Sequence, residues 1–229
     1  SEGADGVLVG LIGRMSGPGY TLSATMGVTG DALEGDMRLA SEGSARFDGR
    51  FSLAPLADGG QRLTLNGAGN LAELVPPEYG DLLAGPVNLA VDADWLPSAN
   101  GTMPRLIVRQ GDVTTSNVKA TASGTFGDPT QSLAVTLAVG KQDGGAVALP
   151  GLPEPTRLTS LALSGKVAPV DDVYRLELTG NARDLRYGET RAPGIGLSLA
   201  VEARQDTPLG EGSIPFDLRV EADAIDTPA

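Results

Sequence analysis

Along most of the chain apolar and polar residues alternate with a period of two, the spacing that sends successive side chains to opposite faces of a β-strand. Tyr20, Leu22, Ala24 and Met26 alternate with Thr21, Ser23 and Thr25. Leu33, Gly35, Met37 and Leu39 alternate with Glu34, Asp36 and Arg38, and Ala45, Phe47, Gly49, Phe51 and Leu53 with Arg46, Asp48, Arg50 and Ser52. The same alternation returns in Val87–Trp95, Val118–Gly124, Leu133–Val139, Ile195–Val201 and Phe216–Ala222. Three further segments share the form L-x-L-x-G: Leu63–Gly67, Leu161–Gly165 and Leu176–Gly180. Turn residues separate these runs, as at Gly30-Asp31, Asp58-Gly59-Gly60, Gly127-Asp128-Pro129, Asp143-Gly144-Gly145 and Leu209–Ser213. The pattern predicts about a dozen strands of roughly 6 to 10 residues. Short turns make the neighbours antiparallel, and clean alternation gives the sheet one apolar and one wet face.

One segment breaks the period. In Asn70–Gly85, NLAELVPPEYGDLLAG, the residues Leu71, Leu74 and Val75 stand at helical spacing behind Asn70, a suitable N-cap, and Pro76-Pro77 stop the helix after about a turn. Leu82 and Leu83 are then free to fold back on the sheet. A weaker echo, Asn181–Gly194, follows another L-x-L-x-G strand by the same interval. With Leu65 aligned on Leu178 this reads as a decayed repeat, its halves near 1–115 and 116–229.

Composition narrows what such a sheet can do. The 229 residues include 32 Gly and 4% aromatics, so the apolar face is mostly Leu, Val and Ala. A net charge of −12 argues against nucleic acid and against adsorption to an anionic bilayer. The chain has no Cys and no His, which removes thiolate chemistry, the commonest metal ligand and the commonest general base near neutral pH. Lys141 and Lys166 stand in no S-x-x-K pattern. Paired carboxylates occur as Asp92 with Asp94 and as Asp171 with Asp172; the first pair, two apart on one strand, is open to a glycosidase or Ca²⁺ reading, and the second stands at a turn, where Asp is ordinary. A wet strand face and a turn account for them without chemistry. Trp95 alternates onto the apolar face and is expected in the core. No catalytic residue, metal site or cofactor is expected, and the chain is read as a non-enzyme. Both ends read as cuts from a longer protein.

Gly69–Trp95, GNLAELVPPEYGDLLAGPVNLAVDADW, resembles the TamB family of translocation and assembly module proteins, kin of the AsmA-like envelope proteins, at Leu71, Leu74, Leu83, Gly85, Val87 and Leu89. The resemblance implies an all-β fold: an elongated, curved, mostly antiparallel β-taco, a half-pipe with an apolar inner face and one or two short helical turns. It implies one section of a periplasmic, inner-membrane-anchored protein that carries phospholipid between membranes and assists outer-membrane protein assembly. The partners so implied are phospholipid acyl chains, neighbouring sections of the same chain and an Omp85-type outer-membrane protein. In an isolated section the open edge strands would be available for a dimer. From the phase of the alternation, Leu22, Leu33, Met37, Phe47, Phe51, Leu89, Val91, Val135, Leu137, Leu176, Leu178, Leu197, Leu199, Leu218 and Val220 are expected to line the groove. Glu34, Asp48, Asp92, Glu177, Arg219 and Glu221 are expected to face outward. Two alternatives share the alternation: a β-sandwich or β-helix adhesin with a filled core, and a hydrolase built on carboxylates.

Overall fold

The computed structural model describes residues 20–97, 104–128, 130–170, 173–204 and 216–227. The Leu209–Ser213 turn and the Asp171-Asp172 pair lie outside them. The described residues form one nearly wholly antiparallel sheet of fourteen strands. The first eight run β1 (Tyr20–Thr29), β2 (Ala32–Ser41), β3 (Ser44–Pro55), β4 (Gln61–Gly69), β5 (Val87–Leu96), β6 (Arg105–Thr114), β7 (Val118–Phe126) and β8 (Leu133–Gly140), each paired with the next. After the short β9 (Val147–Leu149) and β10 (Thr156–Leu158), β11 (Ser160–Val170) returns to pair with β8. The sheet continues through β12 (Val173–Tyr187) and β13 (Thr190–Arg204) to β14 (Phe216–Ala222). The fold is the all-β, open antiparallel sheet that the alternation calls for.

Three strands were not legible in the alternation. β6 carries a bulge: Asp92 pairs with Gln110 but Ala93 pairs with Val108, so Arg109 is the extra residue. The three-residue strands β9 and β10 pair with each other, and β10 extends the pairing of β12 beyond β11. Asn70–Gly85 holds two 3₁₀ turns, Ala72–Leu74 and Pro77–Tyr79. Asn70 Oδ1 accepts the Ala72 N–H at 3.2 Å, so this residue closes the first turn although the cap position falls on Leu71. The echo at Asn181–Gly194 is no helical turn but the β12–β13 hairpin. Asp184 there takes a left-handed φ of 48°, and Ala182 and Leu185 both reach the same apolar cluster. The strand thus slips phase by one residue, and its apolar spacing of three imitates a helix.

The L-x-L-x-G strands pair so that leucine meets glycine. Leu163 stands opposite Gly180 and Gly165 opposite Leu178. A Cβ on Gly180 would lie 2.5 Å from Leu163 Cδ2, and one on Gly165 would collide with Leu178 Cδ2 in the same way. Earlier in the sheet the ring of Phe51 lies over Gly35, where a Cβ would come within 2.8 Å, and that of Phe47 over Gly67. Each glycine lets a large neighbour lie across the strand instead of standing up from it, which keeps the apolar face low and even.

This packing makes a prediction. Gly180→Val should displace Leu163 and destabilise the chain by about 1–3 kcal/mol. Gly27→Ala, at a strand position with nothing within 4 Å, should cost nothing measurable. Urea unfolding of both variants checks the contrast.

Candidate functional site: an uncovered apolar face

The register carries apolar rows from one edge of the sheet to the other. One row runs Met26, Gly35, Phe51, Leu65, Val91, Gly111, Ala122, Val135, Gly165, Leu178, Leu199, Leu218. The next runs Ala24, Met37, Gly49, Gly67, Leu89, Val113, Ala120, Leu137, Leu163, Gly180, Leu197, Val220. Leu22 and Phe47 share a third row through Leu39, and Leu33 and Leu176 lie in a fourth. All the residues named from the sequence as groove lining therefore stand on one face. On the other face a matching row reads Thr25, Asp36, Arg50, Asn66, Ala90, Asp112, Thr121, Thr136, Ser164, Thr179, Ser198, Arg219. Glu34, Asp48, Asp92, Glu177 and Glu221 share that polar face.

No second sheet covers the apolar face among the described residues. Met26 is 62% exposed and Leu218 53%, and the lining residues between them are half-buried by their own neighbours. The face is concave in its middle. Residues of β7 and β11, second neighbours across β8, come within 8 Å between Cα atoms, closer than the roughly 9.6 Å of two flat strand spacings. Phe126 of β7 and Tyr174 of β12 stack with centroids 4.6 Å apart. These strands lie three spacings apart, about 14 Å if flat, so the sheet curls toward the apolar side to let the rings meet.

Among the described residues a filled core exists along one rim. Val139, Ala182 and Ile195 of the sheet are buried there with Val147, Leu158 and Ala192, and Leu82 packs against them. At the opposite rim Trp95 is half exposed. The expectation that it belongs to the core is corrected: β5 ends there, and no described element folds over its outer side.

The polar face is knitted by pairs standing directly across strands. Arg38 meets Asp48 at 2.5 Å, Arg50 meets Asp36 at 3.2 Å and Lys166 meets Glu177 at 3.1 Å. Exposed pairs of this kind contribute up to about 1 kcal/mol each. The clamp around Asp94 is stronger. Its side chain is 6% exposed; Arg62 Nε donates to it at 2.9 Å, and Arg109, on the β6 bulge, donates to both of its oxygens. Arg109 also reaches Asp92 at 3.5 Å. The two guanidinium groups hold the Asp94 carboxyl far below the ordinary carboxylate range. Asp94 is therefore a fully engaged structural anion, with no free oxygen for a proton shuttle or a cation. No group of three or more acidic side chains among the described residues could hold a metal ion, and no described helix is long and apolar enough to cross a membrane. The sequence signal for the clamp was present in Arg62, Asp94 and Arg109 but could not be assembled without the bulge.

Compared with protein-family models, with curated proteins and with solved structures, the chain matches none.

The clamp gives a pH prediction with a definite sign. Asp94 is held below its ordinary value of 3.8 in the folded chain, so the unfolded chain takes up a proton first as the pH falls. The stability it contributes is complete above that value and is lost below it. Asp81, Asp128 and Asp184 shift in the same direction. Stability should be flat near neutrality and fall below about pH 4. Asp94→Asn should cost on the order of 1–3 kcal/mol at neutral pH and shrink the acid loss. Denaturant unfolding at pH 7 and pH 3 checks both.

Proposed function

We propose that this chain is a section of a hydrophobic conduit that carries the acyl chains of phospholipids, a non-enzymatic role. One observation carries the reading: an apolar face, continuous along the central rows of the sheet, is uncovered over most of its area among the described residues, while the charged and most of the polar strand residues stand on the reverse face. A soluble domain does not ordinarily leave so extended an apolar surface to water without an occupant. The lining is Leu, Val, Met, Phe, Ala and Gly with no polar side chain in its central rows. Such a surface holds an acyl chain without fixing its position. Each CH₂ moved from water gains about 0.8 kcal/mol, so a sixteen-carbon chain gains on the order of 10 kcal/mol before ordering costs. Because the gain is nearly the same at every position, a chain can slide.

The TamB resemblance of Gly69–Trp95 supports the same role and extends it: a periplasmic, inner-membrane-anchored parent, phospholipid transfer between membranes, a contribution to outer-membrane protein assembly, and an Omp85-type partner. Neighbouring sections would add to β1 and β14, the strands at the ends of the described sheet. The filled-core adhesin reading draws on the packed rim alone, and the hydrolase reading loses its carboxylate pair to the Asp94 clamp.

Native mass spectrometry of the purified chain, with lipid extraction, should find co-purified phospholipid. Leu89→Arg and Leu199→Arg, which place a charge in the central rows, should sharply reduce the bound lipid, since burying an unpaired charge against an acyl chain is costly. Asp36→Asn and Asp112→Asn on the polar face should leave it unchanged. A lipid-free wild-type chain, or undiminished lipid in the arginine variants, would sink the conduit.

A further inference from the structure

Acidic residues outnumber basic ones 29 to 17 in this chain, yet one end of the polar face gathers cations. Where β10 joins β12, the register places Arg157 directly opposite Arg186, and Arg186 directly opposite Arg191 on β13. All three are exposed. Like charges directly across strands destabilise a sheet, so this row calls for anions. The acids beside it are largely committed. Asp184 accepts Arg191 Nη2 at 2.6 Å, and Asp226, the bridge partner of Arg191, adds its charge to the same arginine. Asp81, beside Arg157, accepts the Ala148 N–H at 3.0 Å and Lys141 Nζ at 3.1 Å. Asp143 accepts the Gly145 N–H of its own turn at 2.9 Å. Glu154 and Glu189 flank the turn at Gly188 and join no ion pair among the described residues.

Next to this row a cavity of about 570 Å³ opens on the polar face. Parity and register build it. Lys119 begins the polar set of β7, and Arg183 stands near the end of that of β12. Between them lie Ala138 and Gly140 of β8 and Ser160 of β11: Lys119 is paired with Ala138, and Ser160 with both Gly140 and Arg183. Small side chains on the two middle strands leave room between two long cationic ones. Lys141, one residue past β8, stands at the end of this floor. The acid in the lining, Asp184, is the one that Arg191 holds. Lys119 and Arg183 have no ionic partner among the described residues, unlike Arg38, Arg50 and Lys166 on the same face.

An ammonium, a planar guanidinium and a hydroxyl converging on a small-residue floor suit a group with several acceptor oxygens and a full negative charge, which is a phosphate. The volume exceeds that of the bare ion and leaves room for an ester substituent. No aromatic side chain lines the cavity, so a nucleobase finds nothing to stack on.

We propose that this cavity binds the phosphate ester of a small, non-aromatic alcohol, with Lys119 and Arg183 as its ligands, Ser160 donating between them and Lys141 in support. The site lies on the face opposite the apolar rows and stands independently of the conduit reading. The same group is offered by a soluble ester and by the head of a phospholipid, and two probes separate these sources.

The folded chain is titrated with sn-glycerol 3-phosphate at low ionic strength, where exposed charges are least screened, and followed by amide correlation spectra. Its flotation with vesicles of phosphatidylglycerol and phosphatidylcholine is measured in parallel. Lys119→Gln combined with Arg183→Gln changes two exposed side chains and should weaken phosphate-dependent binding by about tenfold or more. Lys166→Gln, on the same face, should leave it unchanged. Dependence on the Lys119–Arg183 pair supports the site: seen in flotation it assigns a lipid head group, and seen with glycerol 3-phosphate alone it assigns a soluble ester. The site is overturned if neither probe engages the chain, if both act on the double variant as on the wild type, or if the shifts scatter over the sheet instead of gathering at Lys119, Gly140, Ser160 and Arg183. Any of these leaves the conduit standing, because no residue of the apolar rows is altered.

Discussion

Phase is the constraint on which the rest of the structure depends. A strand exposes alternate residues to each face, so a register error of one residue at any junction would turn an entire row from apolar to polar. Here the rows stay in phase from Met26 on β1 to Leu218 on β14. Where the count along a strand fails, the structure compensates on the spot. β6 has an extra residue at Arg109 on both of its sides, so Leu106 and Val108 keep the apolar face above the bulge and Gly111 and Val113 keep it below. The extra residue is then used: Arg109 closes over Asp94 and, with Arg62, pins the bulge on the polar face. The irregularity that preserves the apolar row and the strongest ion cluster of the polar face are thus one feature.

A sheet in phase but without a second layer must find its stability elsewhere. Much of it lies within the sheet. Backbone ladders join long neighbouring strands, cross-strand ion pairs line the wet face, and large side chains lie across glycines on the dry one. The reciprocal Leu163–Gly180 and Leu178–Gly165 contacts bury apolar area between adjacent strands rather than between layers. The remainder is concentrated along one rim, where the Val139–Ile195 cluster is a small conventional core. This division leaves the central rows free of any structural duty to be covered, as the proposed conduit requires.

The fold class and the two faces were readable because alternation is a local property: each run such as Leu133–Val139 declares its own faces. The rim was not readable in the same way. Val147–Leu149 and Thr156–Leu158 are too short to show a period, and their burial comes from residues far away in sequence, Leu82, Val139, Ala182 and Ile195. β6 and the β12–β13 hairpin were hidden for a single reason. An inserted residue in β6 and a left-handed Asp184 in β12, where the register with β13 is unbroken, each space apolar residues by three, as at Val108 and Gly111 or Ala182 and Leu185, and that spacing is also a helix's. Trp95 illustrates the complementary limit. Its parity gave the correct face, but parity says nothing about whether another element arrives to cover it.

The packed rim, a wall that the Asn70–Gly85 and Lys141–Leu158 excursions build over the Val139–Ile195 cluster, also changes how Gly69–Trp95, the segment that carries the family resemblance, is understood. Its leucines and prolines look like a turn between two strands, β4 and β5, that are directly paired. A tight hairpin would have joined them with far fewer residues. The longer path instead delivers Leu74 and Leu82 to the apolar face and Asp81 to the second excursion, and Gly85, at φ 72°, turns the chain back into β5. The Gly85 position tolerates no side chain, since a Cβ would strike the Ser116 hydroxyl of the turn that anchors the wall. A residue that seems to end a loop is therefore the point where the wall, the β6–β7 turn and the first buried residue of β5, Val87, are fixed against one another.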